Sequence, residues 1–429
     1  MKLQAWLALR GPGYICKRVT FLLKRYGITP AKAVARLEEC IATLAEYGCA
    51  PTFSTPGCVV ERYPHIIRRL QDVGAEIAVH GYHHVDLRAY PPHKASEQLV
   101  RAAQACARHG IEVHGFRCPY LSCTDDLMDA LSKGTFDYSS NQAIEWDVVL
   151  STDTDHATTI FDTLQRLYRP KSAHDTVCIP WIRSDLVEIP VCLPDDLQLH
   201  DGLQVGPEGM TQAWRLVLHR THQRGELFVL GFHPELAEHC QQPFVALLRE
   251  AAHLHPAVWI ARLRDISDWW REKSGFAVVV SRTPAGLQIS LTCSERATIL
   301  ARGLDAHGSE RVWDGRYYRL GSRALQVPAE PRPFVGLPAD APKDVVSFLQ
   351  EQGYVLDMDE AATRCGTYID VATLASLTSK VELVNYIEAS PGPLIRYWRW
   401  PDGAKSAMCV TGDLDALTLL DYGSRLFAR

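Results

Sequence analysis

Four short stretches of this 429-residue chain gather residue types that do chemistry. Ala78-Val-His80-Gly-Tyr-His83-His84-Val-Asp86 carries three imidazoles close together. Neutral imidazoles four apart, His80 and His84, can converge on one divalent cation. A carboxylate as third ligand would leave positions open for water and substrate. His80 and His83 form a second pairing with the same donors, and a solvated histidine-rich loop is the reading without metal. Gly115-Phe-Arg117-Cys-Pro-Tyr120-Leu121 adds an arginine, a residue type equally at home in a surface ion pair. Leu230-Gly-Phe-His233-Pro-Glu235 adds a histidine, which taken alone is more often structural. Met408-Cys-Val-Thr-Gly-Asp413-Leu-Asp415 runs from apolar residues into two carboxylates one residue apart. Such a pair at a strand end is costly unless it holds something. The plainer alternative is that it caps a helix over 416–427.

These stretches need elements to position them, and the pattern from Pro30 to about Lys273 supplies alternating helices and strands. Ala31–Tyr47 has Val34, Leu37, Ile41 and Leu44 at helical spacing and stops at Gly48. A short strand follows over 50–55, a helix over 63–73 and the strand Glu76–His80. A helix over 96–109 precedes the strand 113–117. Later come the strand 227–233, a helix over 244–253, the strand 258–261 and a helix over 266–272. Repeated strand–helix units predict parallel strands with right-handed crossovers, in a barrel or a doubly wound sheet. Beyond Gly275 alternating segments predict a small antiparallel β module to about Val327. Residues 328–333 read as a linker, 342–352 as a helix, 354–356 as a strand and 373–387 as one helix.

Composition narrows the function classes. The net charge of −5 gives no basic face for nucleic acid. Thirteen cysteines without CxxC pairs indicate neither a disulfide framework nor a zinc ribbon, and they fit a reducing, cytoplasmic setting. The first residues have too short an apolar run for a signal peptide. No stretch approaches the roughly 20 apolar residues of a membrane span.

Taken in order, the four stretches resemble the polysaccharide deacetylases, the NodB-homology or carbohydrate esterase 4 group. The resemblance implies a distorted (β/α) barrel of seven or eight strands that hydrolyses the N-acyl group of an amino sugar. It implies a divalent metal, usually zinc, held by two histidines of an H-x-x-x-H motif and one aspartate. His80 and His84 match that motif. Arg117-Cys-Pro-Tyr120 matches the family's Arg-x-Pro-Tyr, in which the arginine orients the base and the tyrosine N–H helps hold the oxyanion. His233 matches the late general acid. The family's first motif, usually Thr-Phe-Asp-Asp-Gly on the first strand, has no counterpart before Pro30. Thr411-Gly-Asp413-Leu-Asp415 resembles its Thr-x-Asp-x-Asp form and stands late in the chain. By order, Asp413 is the base and Asp415 the ligand.

The chain therefore reads as circularly permuted, with the late strand beside the one containing Thr52 and Phe53, or entering a neighbour in a swapped homodimer. The expected division is residues 1–275 with 400–429 as the barrel, 276–335 as the β module and 336–399 as an α/β segment. Two departures bear on the site. Leu414 splits the family's adjacent aspartates, and Gly231 stands where the family has leucine. Glu145-Trp146-Asp147 is the candidate for the tryptophan/aspartate motif, with Asp147 polarising His233, and Asp195-Asp196 is its rival. The expected substrates are a nucleotide-linked or lipid-linked N-acylated sugar, or a small glycoside. The alternatives are a deformylase or allantoinase-like amidohydrolase, and a non-catalytic glycan-binding module.

Overall fold

Buried threonine, valine and phenylalanine on short segments make the central strands, and the links between them run parallel. The computed structural model describes residues 22–23, 25–131, 134–148, 155–304, 310–313 and 315–424. Residues 1–21, on which the expectation of no leader peptide falls, lie outside the described residues. The strands are β1 (Thr52–Thr55), β2 (Glu76–Val79), β3 (Gly115–Phe116), β4 (Tyr138–Ser139) and β5 (Ala143–Glu145). They continue with β6 (Leu186–Glu188), β7 (Val191–Leu193), β8 (Leu227–Phe232) and β9 (Ser406–Asp413).

β9 lies between β1 and β8, parallel to both, with Phe53 level with Gly412 and Gly412 level with Phe232. β1 leads to β2, β3 and β4 in turn. β4 pairs with β6, while β5 pairs with β7, which pairs with β8. Because β4 runs on into β5, and β6 into β7, these two bent strands carry the sheet round to meet itself. Seven parallel strands, with β4–β5 and β6–β7 each taken as one, thus curl into an α/β barrel. Val258–Ile260 pairs with the first half of β9, where β1 pairs with the second, and acts as a short eighth strand.

Helices cover the barrel for the reason their spacing indicated. Ala31–Ala45 buries Leu37, Ile41 and Leu44 on one face, and Gly48 follows with φ +69°. This face joins Phe53, Phe228, Val410 and Trp214 in one buried cluster, where the removal of apolar surface from water supplies the main cohesion. Among the described residues no helix is long and apolar enough to cross a membrane.

Beyond the barrel the structure differs from expectation in three places. The stretch read as one helix over 373–387 is two, Val371–Ser376 and Lys380–Ala389. Asp370 caps the first through Thr373 N, and Ser379 caps the second through Glu382 N in an extended conformation that no helix can pass through. The expected linker ends in a strand, Arg332–Gly336, parallel to Leu356–Asp357 and Cys365–Tyr368. Finally, Leu394–Pro401 is a fully buried strand antiparallel to Ala297–Arg302. The boundary expected at 399/400 falls inside it.

Candidate active site

The strand ends of β2, β3, β8 and β9 open on one side of the barrel and hold the candidate residues. His80 N–H donates to Thr55 O at 3.0 Å, extending the β1–β2 ladder by one residue. Gly81 then turns the chain at φ +70°, where a Cβ would sit 3.0 Å from His83 O, and His84 swings back beside His80. The two rings stand 5.1 Å apart. His80 Nδ1 lies 2.8 Å from Arg117 O. A carbonyl only accepts, so Nδ1 carries the proton and Nε2 presents its lone pair.

That lone pair points at carboxylate oxygen. His80 Nε2 is 3.4 Å and His84 Nε2 3.1 Å from Asp415 Oδ1. One donor atom from each of His80, His84 and Asp415 lies within 4.8 Å of the others, all three residues being buried. His80 Nε2 is itself buried and makes no hydrogen bond. Two imidazoles and a carboxylate around an unsatisfied nitrogen fit a divalent cation. His83 stands outside this group, its ring edge-on to Tyr82 at 4.8 Å.

Asp413 occupies the other side of the β9 terminus. Arg117 Nη1 donates to Asp413 Oδ1 at 3.0 Å and to Thr411 Oγ1 at 2.9 Å. The rest of the guanidinium is held from the β4–β5 turn, through Ser140 O at 3.1 Å and Ser140 Oγ at 3.0 Å. Asn141 Oδ1 accepts from Cys118 N at 2.7 Å and fixes the next residue of the motif. Glu188 in turn accepts from the Asn141 and Gln142 N–H groups at 2.8 and 2.7 Å. Burial alone would raise the Asp413 pKa, but Arg117, then His80 and His233, hold it below the ordinary carboxylate value.

His233 follows β8 at the far wall. Its Nδ1 is 2.7 Å from Asp196 Oδ1, and its backbone N–H donates to Asp196 Oδ2 at 2.6 Å. Burial opposes the charged imidazolium, yet the charge and hydrogen bond of Asp196, with Glu235 and Asp415, raise its pKa well above the usual value. The partner expected for His233 is therefore corrected. Asp147 is exposed, with its carbonyl accepting from Arg220, while the turn after β7 delivers Asp196. Tyr120 and Leu121 both take positive φ, 58° and 52°, and bring Tyr120 edge-on to His84 at 4.6 Å. Ser140, Asn141 and Glu188 escaped the sequence reading because nothing in Ser-Ser-Asn or in one glutamate marks them.

With this geometry in hand, residues 26–139 match the polysaccharide deacetylase family. Over that stretch the chain resembles the family. The matched stretch contains His80, His84, Arg117 and Tyr120. Asp413, Asp415 and His233 lie outside it and reach the same pocket through the barrel. Similar solved structures include two proteins assigned as polysaccharide deacetylases. The one from Mycobacterium smegmatis is 23% identical over 59% of this chain and 82% of its own, with a TM-score of 0.43. The one from Pseudomonas aeruginosa PAO1 is 18% identical over 56% and 72%, with a TM-score of 0.43. A family 4 carbohydrate esterase from Streptomyces lividans, solved with acetate, is 16% identical over 50% and 81%, with a TM-score of 0.28.

The pocket beside the acidic pair is lined on its apolar side by Leu121, Val191, Leu197 and Phe232. Asp195 also borders it, and its carboxyl is pushed up to about 7 by burial and by the adjacent charge of Asp196. Gly231 leaves the wall open, since a Cβ there would come no closer than 3.8 Å to Val191 and 4.0 Å to Asp195.

Proposed function

We propose that this protein is a polysaccharide deacetylase, a metal-dependent N-deacetylase that removes an N-acyl group from an amino sugar or sugar conjugate. One observation carries the reading. Asp413 and Asp415, more than 300 residues along from His80, arrive at its imidazole in company with an arginine-held base and an aspartate-held histidine. His80, His84 and Asp415 would hold the cation, zinc on the resemblance. When bound, it supplies Lewis-acid polarisation of the acyl carbonyl and a lower pKa for water at the site.

The chain's own residues do the rest. Asp413 accepts the proton of the attacking water, and Arg117 keeps its carboxylate ionised and aimed. His80, locked by the Arg117 carbonyl, cannot rotate its Nε2 out of the site. The Tyr120 N–H faces the developing oxyanion, a contact commonly worth ~3 kcal/mol. His233, kept protonated by Asp196, hands its proton to the leaving amine. The apolar floor by Leu121 and Phe232 takes the acyl methyl, and Gly231 leaves room for the sugar beside it.

The same reading includes a circular permutation, supported by the position of β9 between β1 and β8 within its own chain. It also includes a cytoplasmic location, supported by free thiols at all twelve described cysteines. Metal analysis of the purified protein, together with a panel of N-acetylated nucleotide sugars, lipid-linked sugars and glycosides, tests the whole. Turnover of at least one member, lost in Asp413→Asn, is the expected result. If Asp413→Asn matches wild type throughout, the protein is a binder and the mechanism fails.

A further inference from the structure

Where the barrel meets both added units, a second cleft of about 510 Å³ opens. Trp270 and Lys273 line it from the barrel helix Leu263–Ser274, Phe276 and Val278 from the start of the β module, and Ser347 and Tyr354 from the α/β segment. Neither the three candidate metal ligands nor Asp413 or His233 lines it. Its volume lies inside the range of about 300–1,000 Å³ usual for small-molecule sites, which favour junctions between structural units.

Lys273 is 7% exposed, and lysines are seldom buried to that degree unless paired. Its pairing is with a carbonyl. Nζ donates to Glu351 O at 2.7 Å and lies 4.1 Å from the centre of the Trp270 ring. The Glu351 carboxylate is committed elsewhere, its Oε1 accepting from the Ile182 N–H at 2.8 Å and its Oε2 from Trp270 Nε1. A carbonyl accepts from an uncharged amine as readily as from an ammonium, so this geometry permits loss of the proton where a paired carboxylate would resist it. Burial disfavours the charged form; the Glu351 charge opposes that, and Arg396 and Arg399 add to it, so the amine is lowered to about 8. At pH 7.4 roughly a fifth of such an amine is unprotonated, against about a thousandth of an ordinary lysine.

A desolvated lysine carrying its lone pair is a nucleophile toward carbonyl carbon. The walls select among carbonyl compounds. The indole of Trp270 and the rings of Phe276 and Tyr354 suit a flat aromatic body.

We propose that Lys273 captures a small aromatic aldehyde in this cleft as an imine. The amine lone pair attacks the carbonyl carbon, and the nitrogen yields its two protons to the carbonyl oxygen by way of solvent. That oxygen leaves as one water while nitrogen and carbon become doubly bonded, so no oxidant or reductant is consumed.

The full chain is incubated with benzaldehyde and cyanoborohydride at about pH 7.4, the hydride fixing each imine as a stable amine. Peptide mass spectrometry then assigns the adducts. Lys273 should label about tenfold or more faster than the exposed Lys94 and Lys343, at a rate that saturates with benzaldehyde and rises with pH to a midpoint of about 8. Lys273→Met should remove that adduct and leave those at Lys94 and Lys343. Ser347→Trp, which narrows the cleft and keeps the amine, should slow labelling of Lys273 about tenfold, with far-ultraviolet circular dichroism and urea midpoint unchanged. Three results overturn the proposal: labelling of Lys273 no faster than of Lys94, a rate that stays proportional to benzaldehyde, or indifference to Ser347→Trp.

Discussion

His80→Ala or His84→Ala should strip the protein of metal, whereas His83→Ala should leave most of it, because His83 faces Tyr82 rather than Asp415. Elemental analysis after gel filtration reads this directly. Asp415→Ala should lose metal too, while Asp413→Ala keeps metal and loses turnover. At His233 the effect of pH has a definite sign. Asp196 raises the pKa of an acid that works protonated, so Asp196→Asn should lower that pKa and move the alkaline limb of the rate profile to lower pH. Metal content should not change. His233→Ala should cost about 10²–10⁴-fold in rate across the profile. An alkaline limb that stays in place in Asp196→Asn would take His233 out of the acid role.

At the scale of elements, β9 decides the outcome. Gly412 lies between the rings of Phe53 and Phe232, and a Cβ there would come 2.9 Å from Phe53 and 3.4 Å from Phe232. Phe53 has no free space to retreat into, being fully buried, so Gly412→Ala should destabilise by about 1–3 kcal/mol. A lower urea midpoint at unchanged slope would show it. A chain ending at residue 405 should be insoluble as well as inactive, since β1 and β8 would each keep an unpaired edge. β9 was legible in the sequence because an apolar run leading into Asp413 and Asp415 has few other uses. The histidine and arginine stretches were legible for the same reason, each standing at the end of a hydrophobic strand. Asp196 could be distinguished from Asp147 only by the direction of the chain after β7, which no local pattern records. The bends at β4–β5 and β6–β7 were hidden too, because segments of two or three residues carry almost no periodicity. The strand Leu394–Pro401 escaped for a different reason. Its arginines and tryptophans are buried by partners elsewhere in the chain, so it shows no alternation of polar and apolar residues.

At the scale of the whole molecule, barrel and site are coupled through the strands that end in ligands. A cation joining His80, His84 and Asp415 ties β2 to β9 across β1. It should therefore stabilise the fold by mass action, about 2.7 kcal/mol at a hundredfold excess over its dissociation constant. Thermal unfolding with and without chelator should show a clear upward shift in wild type and none in Asp415→Ala. An equal shift in both would place the stabilising ion elsewhere.

The placement of β9 between β1 and β8 also has a consequence in time. During synthesis at about 5–20 residues per second, the roughly 170 residues from Phe232, where β8 ends, to Ser406 take on the order of 9–35 s to emerge. Throughout that interval the nascent polypeptide holds a gap in its half-built wall, flanked by two hydrophobic edges awaiting the same late arrival. A ribosome that stalls anywhere in the stretch between releases an open shell prone to stick to its neighbours. Cells making this protein should therefore depend on holding chaperones far more than its folded stability alone would indicate, and depleting such chaperones should lower its soluble yield.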